Sequence, residues 1–273
     1  MRRVLLINSA VYLPGEGGYK RTMYLLDMML KMGYECVLLT SDFNHYSKKK
    51  RDVSKFRNEY SGYNQSIQIL HKLPYKKNVS FKRFYSDKKF ENSIAKWVKR
   101  NINNFDVVFA SDQEAVLNIS PILKKNKIPL VIDIRDLFPE ALKVVLKNET
   151  IYKILTWPFS KLEDKAYSCA DEIVAVSKEY LERGLKTNKK SVHPEIVYLG
   201  STLELFDAGI EKYAPEINKS KDEFWISYVG TIGASYDFKT IITAMGRLGK
   251  KYPGLKFKVL GHGPYEEEHK EYA

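Results

Sequence analysis

Short runs of Val, Ile and Leu recur along this chain with longer amphipathic stretches between them. That alternation arises when each strand of a parallel sheet is followed by a helix that packs back onto it. It predicts strands over Val4 to Ile7, Cys36 to Thr40, Ile67 to Leu70, Asp106 to Ser111, Leu130 to Ile134, Glu172 to Ser177 and Glu195 to Tyr198. Most are unbroken apolar runs rather than alternating ones, as expected of strands covered on both faces. Between them, residues 18–32 read as a helix with Met23, Leu26, Met29 and Leu30 inward and Gly33 as its stop, and Phe90, Ile94, Trp97 and Ile102 mark another helical stripe. The fold class is α/β: residues 1–200 form one doubly wound parallel domain.

A polar, Lys- and Glu-rich segment over residues 201–223 reads as a linker, and the βα pattern then restarts over residues 224–273. Trp225 to Val229 and Leu255 to Leu260 are strands, Asp237 to Lys251 a helix, and another helix begins at Pro264. Two strands bury too little to stand alone. The expectation is an incomplete second domain: either its remainder is missing, or this piece adds itself to the first sheet or to another chain.

The chain has 273 residues and a net charge of +12, distributed unevenly. Residues 1–100 hold 21 Lys or Arg against 8 Asp or Glu, whereas residues 101–273 hold 24 against 25. Residues 46–89 alone carry 13 basic and 3 acidic side chains, interleaved with Tyr46, Phe56, Tyr60, Tyr63, Tyr75, Phe81, Phe84 and Tyr85. Two readings stand: a contact for an anionic partner such as a membrane surface, or a solvated face. No helix-turn-helix, zinc-ligand or RNA-platform motif accompanies the charge, which argues against nucleic acid. Two cysteines, Cys36 and Cys169, and five scattered histidines offer neither a disulfide framework nor metal-ligand spacing, and they suit a reducing cytoplasm. The opening MRRVLLINSAVYL imitates a leader, but Asn8 and Ser9 interrupt its apolar run.

Three segments can carry chemistry. In SAVYLPGEGGYKRTMYLL, Gly17 and Gly18 precede a helix whose free N–H groups can meet an anion or a sugar hydroxyl; the loop is not a G-x-G-x-x-G. In VIDIRDLFPEA, Arg135, Asp136 and Glu140 follow a buried strand, where α/β sheets place ligands; Asp136 or Glu140 capping the helix that Pro139 opens is the competing reading. In YVGTIGASYDF and VLGHGP, Gly230, Thr231 and Gly233 and then Gly261, His262 and Gly263 end successive strands. Such loops leave N–H groups free for phosphate oxygens.

Taken in order, the Gly-Gly loop, VIDIRDLFPEA, ADEIVAVSKEYLERG, VYLGSTLELFD, YVGTIGASYDFKTIITAM and VLGHGP resemble bacterial glycosyltransferases of family 4, in the subgroup that builds cell-surface polysaccharide. The resemblance implies two facing Rossmann-like domains of the B type. It also implies transfer of a sugar, with retention and without a required metal or other cofactor, from a nucleotide diphosphate sugar to a lipid-linked or saccharide acceptor. Residues 1–200 would be the acceptor side and residues 224–273 the start of the donor side, in an enzyme that is cytoplasmic or peripheral on the inner membrane face. Gly17 and Gly18 would lie near the donor phosphates and acceptor. Arg135 and Asp136 fall where relatives carry a His-Asp pair, and Gly230, Thr231, Gly233, Gly261, His262 and Gly263 match the donor-domain loops. The family's Glu-x7-Glu segment has no counterpart here, and only Lys239 stands near its basic pair. A C-terminally truncated enzyme, or a binding fragment that acts with a partner chain, is the expectation that follows.

Overall fold

The computed structural model describes residues 2–18, 20–78, 80–144, 146, 148–200, 202–233 and 236–273. Tyr19 of the first predicted helix, Ser201 at the head of the predicted linker, and Ala234 and Ser235 of the YVGTIGASYDF segment lie outside the described residues. The chain divides into two compact units, Met1–Ser201 and Thr202–Ala273.

In the first unit, the chain runs β1 (Arg3–Ile7), α1 (Arg21–Lys31), β2 (Glu35–Ser41), a two-residue ribbon β3 (Phe43–Asn44) and β4 (Lys49–Lys50), α2 (Val53–Glu59), β5 (Ile67–Leu70) and α3 (Phe81–Asn101). It continues with β6 (Val107–Ala110), α4 (Gln113–Asn126), β7 (Leu130–Ile134), α5 (Glu149–Cys169), β8 (Glu172–Ala175), α6 (Lys178–Leu185) and β9 (Glu195–Ile196). Each predicted strand is present, with ends shifted by a residue or two. The main sheet has the order β5-β2-β1-β6-β7-β8-β9, and every neighbouring pair is parallel.

Alternate residues of β1 feed two cores. Leu5 and Ile7 join Ile94, Val98, Val116 and Ile119 from α3 and α4, while Val4 and Leu6 join Met23, Leu26, Phe56 and Ile67 on the other side. Each fully buried Leu or Ile contributes roughly 1.5–3 kcal/mol. Local signals set the helix starts: Asp52, Ser80, Asn148 and Ser177 each accept a backbone N–H three residues on.

The order of strands reverses between β1 and β6, whose last residues, Ile7 and Ala110, are register partners. A crevice beyond the carboxyl ends of the strands is the expected ligand position at such a point.

The second unit contains α7 (Leu203–Tyr213), β10 (Phe224–Val229), α8 (Phe238–Gly249), β11 (Leu255–Leu260) and α9 (Glu266–Tyr272). Over residues 201–223, where polar composition predicts a linker, α7 presents Leu205, Phe206 and Ile210 to solvent. Strands β10 and β11 pair in parallel from Phe224–Leu255 to Val229–Leu260. Among the described residues of this unit only Ile232 and Phe238 are buried hydrophobics. Among the described residues of the whole chain, no helix is long and apolar enough to cross a membrane.

Candidate active site

At this expected ligand position the residues are built outward from Asn8, the residue just past β1. Its amide donates from Nδ2 to Thr22 Oγ1 at 2.6 Å and accepts at Oδ1 from the Ala10 N–H at 3.1 Å and from Arg135 Nη2 at 3.3 Å. Across the reversal point, Asp112 Oδ2 accepts the Ser9 N–H at 2.7 Å. Burial pushes the Asp112 carboxyl above its ordinary range, against the pull of Lys72 and of the Ser9 hydrogen bond.

Beneath these residues lies a charge cluster. Asp133 is fully buried inside β7 and accepts two hydrogen bonds from Arg21, at 3.1 and 3.3 Å, and one from Ser111 Oγ at 3.3 Å. Arg21 Nη1 donates to the Tyr198 carbonyl at 3.1 Å, so α1, β7 and the chain beyond β9 are tied to one guanidinium. Arg135 Nε stands 3.7 Å from Asp133 Oδ2 and is buried without a hydrogen-bond partner. Two guanidiniums therefore share the one buried carboxylate of Asp133.

The Gly-rich loop forms the rim. Arg51 holds Glu16 through Nε and Nη2, both at 2.8 Å, and donates to the carbonyls of Val11 and Ser41 at 2.5 and 2.7 Å. Glu16 also accepts the Leu13 N–H at 2.7 Å. Despite the burial that opposes it, this pairing lowers the Glu16 carboxyl pKa. Gly18 has φ +115°, and a Cβ there would stand 2.3 Å from the Tyr12 ring, so glycine is required. Tyr12 in turn stacks on Tyr46 with centroids 4.2 Å apart, and Tyr46 Oη donates to the Ala10 carbonyl at 3.3 Å.

Of the residues singled out in the sequence, Arg135 lies in this crevice. Gly17 and Gly18 are exposed on its rim loop, and Asp136 is exposed next to Arg135. Glu140 turns elsewhere: it pairs with Arg183, which also holds Asp164 at 2.8 Å, and so ties the 3-10 turn Glu140–Val144 to α5 and α6. No α-helix opens at Pro139; α5 begins only at Glu149.

In the second unit the two Gly-rich loops lie side by side. Gly230 N–H donates to the Leu260 carbonyl at 3.0 Å and Ile232 N–H to the His262 carbonyl at 3.1 Å. A Cβ on Gly261 would fall 1.8 Å from the Gly230 carbonyl oxygen, and one on Gly263 1.9 Å from that of Ile232, so this approach admits no side chain at either position. Thr231 is exposed, Gly233 half-buried, and His262 exposed with Nδ1 3.2 Å from Glu266. Among the described residues no cluster of three or more His, Cys, Asp or Glu side chains is arranged to hold a metal ion.

Asn8, Asp112, Asp133, Arg21 and Arg51 were not singled out as site residues by sequence. The available signals were slight: Asn8 breaks the apolar run of β1, and Asp133 is a lone carboxylate inside the run VIDI.

Several solved structures share this fold. The HepE structure from Anabaena in complex with UDP has a TM-score of 0.56 at 12% identity, over 98% of this chain and 63% of that one. The lipopolysaccharide outer core galactosyltransferase WaaB has a TM-score of 0.56 at 14% identity, over 99% and 64%. Sucrose-phosphate synthase from Thermosynechococcus elongatus has a TM-score of 0.62 at 15% identity, over 100% and 68%. The fold is thus the Rossmann-like α/β class of B-type glycosyltransferases. The profile described as Glycosyltransferase Family 4 matches residues 16–201, well over half of the sequence, and the chain belongs to that family. No curated protein matches it. The chain spans less than two thirds of the length of the HepE structures.

Proposed function

We propose that the protein takes part in transferring a sugar from a nucleotide diphosphate sugar to a lipid-linked or saccharide acceptor in capsule, O-antigen or exopolysaccharide synthesis, with retention of configuration. The observation that carries this reading is the Nε of Arg135 at the carboxyl end of β7, which faces Asp133 at 3.7 Å yet makes no hydrogen bond and so leaves a buried donor that a ligand can satisfy. Arg135 and Asp136 act on the sugar, and the Gly17–Gly18 loop lies near phosphates and acceptor; in the second unit, taken by itself, the paired loops at Gly230, Thr231 and Gly233 and at Gly261, His262 and Gly263 are candidate phosphate contacts. Support comes from neighbours of the same fold whose structures hold UDP and UDP-glucose. The reading includes no metal cofactor, and undiminished turnover in chelator is its expected sign.

The test is calorimetric titration of the chain with UDP and a panel of nucleotide diphosphate sugars. Arg135→Ala is expected to weaken the best sugar nucleotide by about tenfold or more while leaving UDP nearly unchanged, because only the sugar contact is removed. Equal loss for both ligands, or none for either, would exclude the role given to Arg135. Failure of the wild-type chain to bind any sugar nucleotide would sink the whole reading.

A second reading is a binding fragment that acts with a partner chain or on an anionic membrane. It is favoured by the thin core of the second unit and by Phe81, Phe84 and Tyr85, which are exposed at the start of α3 beside Lys82, Lys88 and Lys89. Each basic side chain near an anionic surface adds ~1 kcal/mol. Salt-sensitive sedimentation with anionic vesicles is the expected result; robust transfer by the purified chain would rule out a catalytically silent fragment.

A further inference from the structure

Part of the basic excess is gathered at one buried aromatic ring. Tyr75 is 2% exposed, and three cations surround it: Lys48 Nζ at 5.0 Å, Lys72 Nζ at 5.9 Å and Arg83 Cζ at 5.8 Å from its centroid. Within ion-pair distance the three share one carboxylate. Asp87 binds Lys72 at 2.8 Å and Arg83 at 3.2 Å, and among the described residues no carboxylate reaches Lys48, which bonds instead to the side chain of Asn78. Arg83 also donates to the Asn78 carbonyl at 2.7 Å. Within ion-pair distance the cluster thus holds three positive charges and one negative, while the fields of Asp112 and Glu114 also reach Tyr75.

Two further observations show that this charge is concentrated at a cost. Lys48, in the turn between β3 and β4, has φ +58°, a left-handed conformation that costs a residue with a Cβ about 1–2 kcal/mol. His45 Nδ1 lies 2.5 Å from Tyr75 Oη, and burial followed by the fields of Lys48, Arg83 and Lys72 presses the imidazole pKa down to about 4, so the ring stays neutral and adds no charge. The cluster adjoins the crevice: Lys72 is the largest charge acting on Asp112, and Tyr46, next to His45, stacks on Tyr12 of the rim loop.

We infer that Lys48, Lys72 and Arg83 form a binding site for a phosphate-class anion beside the crevice. Lysine meets phosphate as a point charge and arginine as a planar fork of donors, and both form charge-assisted hydrogen bonds to it. The assignment of this anion to the acceptor, as a phosphate that anchors it while its hydroxyl lies in the crevice, rests on the sugar-transfer reading; the site itself rests on the cluster alone.

The full chain is titrated with inorganic pyrophosphate by calorimetry and, in a second arm, with phosphatidylcholine vesicles with and without phosphatidic acid; UDP is titrated in parallel. Lys48→Gly and Lys48→Gln combined with Arg83→Gln are compared with wild type. Expected is saturable binding in at least one phosphate arm, weakened about tenfold or more in the double variant. Binding of pyrophosphate that the double variant weakens identifies a soluble phosphate at this cluster, and variant-sensitive binding of the phosphatidic acid vesicles alone identifies a lipid headgroup. Lys48→Gly relieves the positive φ, so its melting temperature is expected to equal or exceed that of wild type while anion affinity falls. Wild-type binding in neither arm, unchanged affinity in the variants, or a Lys48→Gly protein that melts earlier and binds as before overturns the site. Retained UDP binding in those cases leaves the sugar-transfer reading standing, whereas loss of sugar-nucleotide binding with an intact phosphate response sinks that reading alone.

Discussion

Asp133 illustrates how much of this site depends on single charges. A carboxylate in the middle of a buried parallel strand is costly unless it is paired and hydrogen-bonded, and Arg21 and Ser111 supply those partners. Removing one member of such a pair leaves the other buried and uncompensated. Asp133→Asn is therefore expected to destabilise the protein by ~3–5 kcal/mol in denaturant titration, and Arg21→Met combined with Asp133→Leu to recover most of that loss. A cost below about 1 kcal/mol for Asp133→Asn would mean that the pair behaves as a solvent-exposed one. Arg135 was legible in the sequence because a charge just beyond an apolar strand rarely serves packing alone. Its bond to Asn8 was not, since 127 positions separate the two and nothing local encodes the encounter.

Among the elements, α5 carries a group with a clear pH signature. Glu163 is 5% exposed, and burial, then the charge of Glu114, raises its carboxyl to about 8 from an ordinary 4.5. The folded protein then holds a proton that the unfolded chain has released. The stabilising contribution is complete below the unfolded value and declines as pH rises toward the folded one, by up to about 1.4 kcal/mol per pH unit. Glu163→Gln is expected to flatten the decline in melting temperature between roughly pH 5 and 8 relative to wild type. Parallel curves for the two proteins would show that Glu163 titrates normally. The helix over 81–101 was readable from its apolar stripe of Phe90, Ile94 and Trp97. The segment over 201–223 misled because its polar residues interleave with Leu205, Phe206 and Ile210, and so the helical period of α7 is diluted by the charges around it.

For the molecule as a whole, the uneven charge and the uneven core divide differently. Nearly all buried hydrophobics belong to Met1–Ser201, while Ile232 and Phe238 are those of the second unit among the described residues. The first unit is expected to retain its cooperative melting transition when expressed alone, within a few degrees of the full chain; an unfolded product by circular dichroism would contradict this. The sequence by itself determined the succession of strands, the parallel sheet, the glycine loops and the location of the basic excess, because apolar period and turn chemistry act over a few neighbouring residues. Only the tertiary structure decided that Asn8, Asp112, Asp133 and Arg135 meet at the β1/β6 reversal, that Glu140 serves Arg183 rather than the crevice, and that Lys48, Lys72 and Arg83 converge on Tyr75. Those encounters join residues far apart in the chain, and strand order together with register, rather than any local preference, brings them within reach of one another.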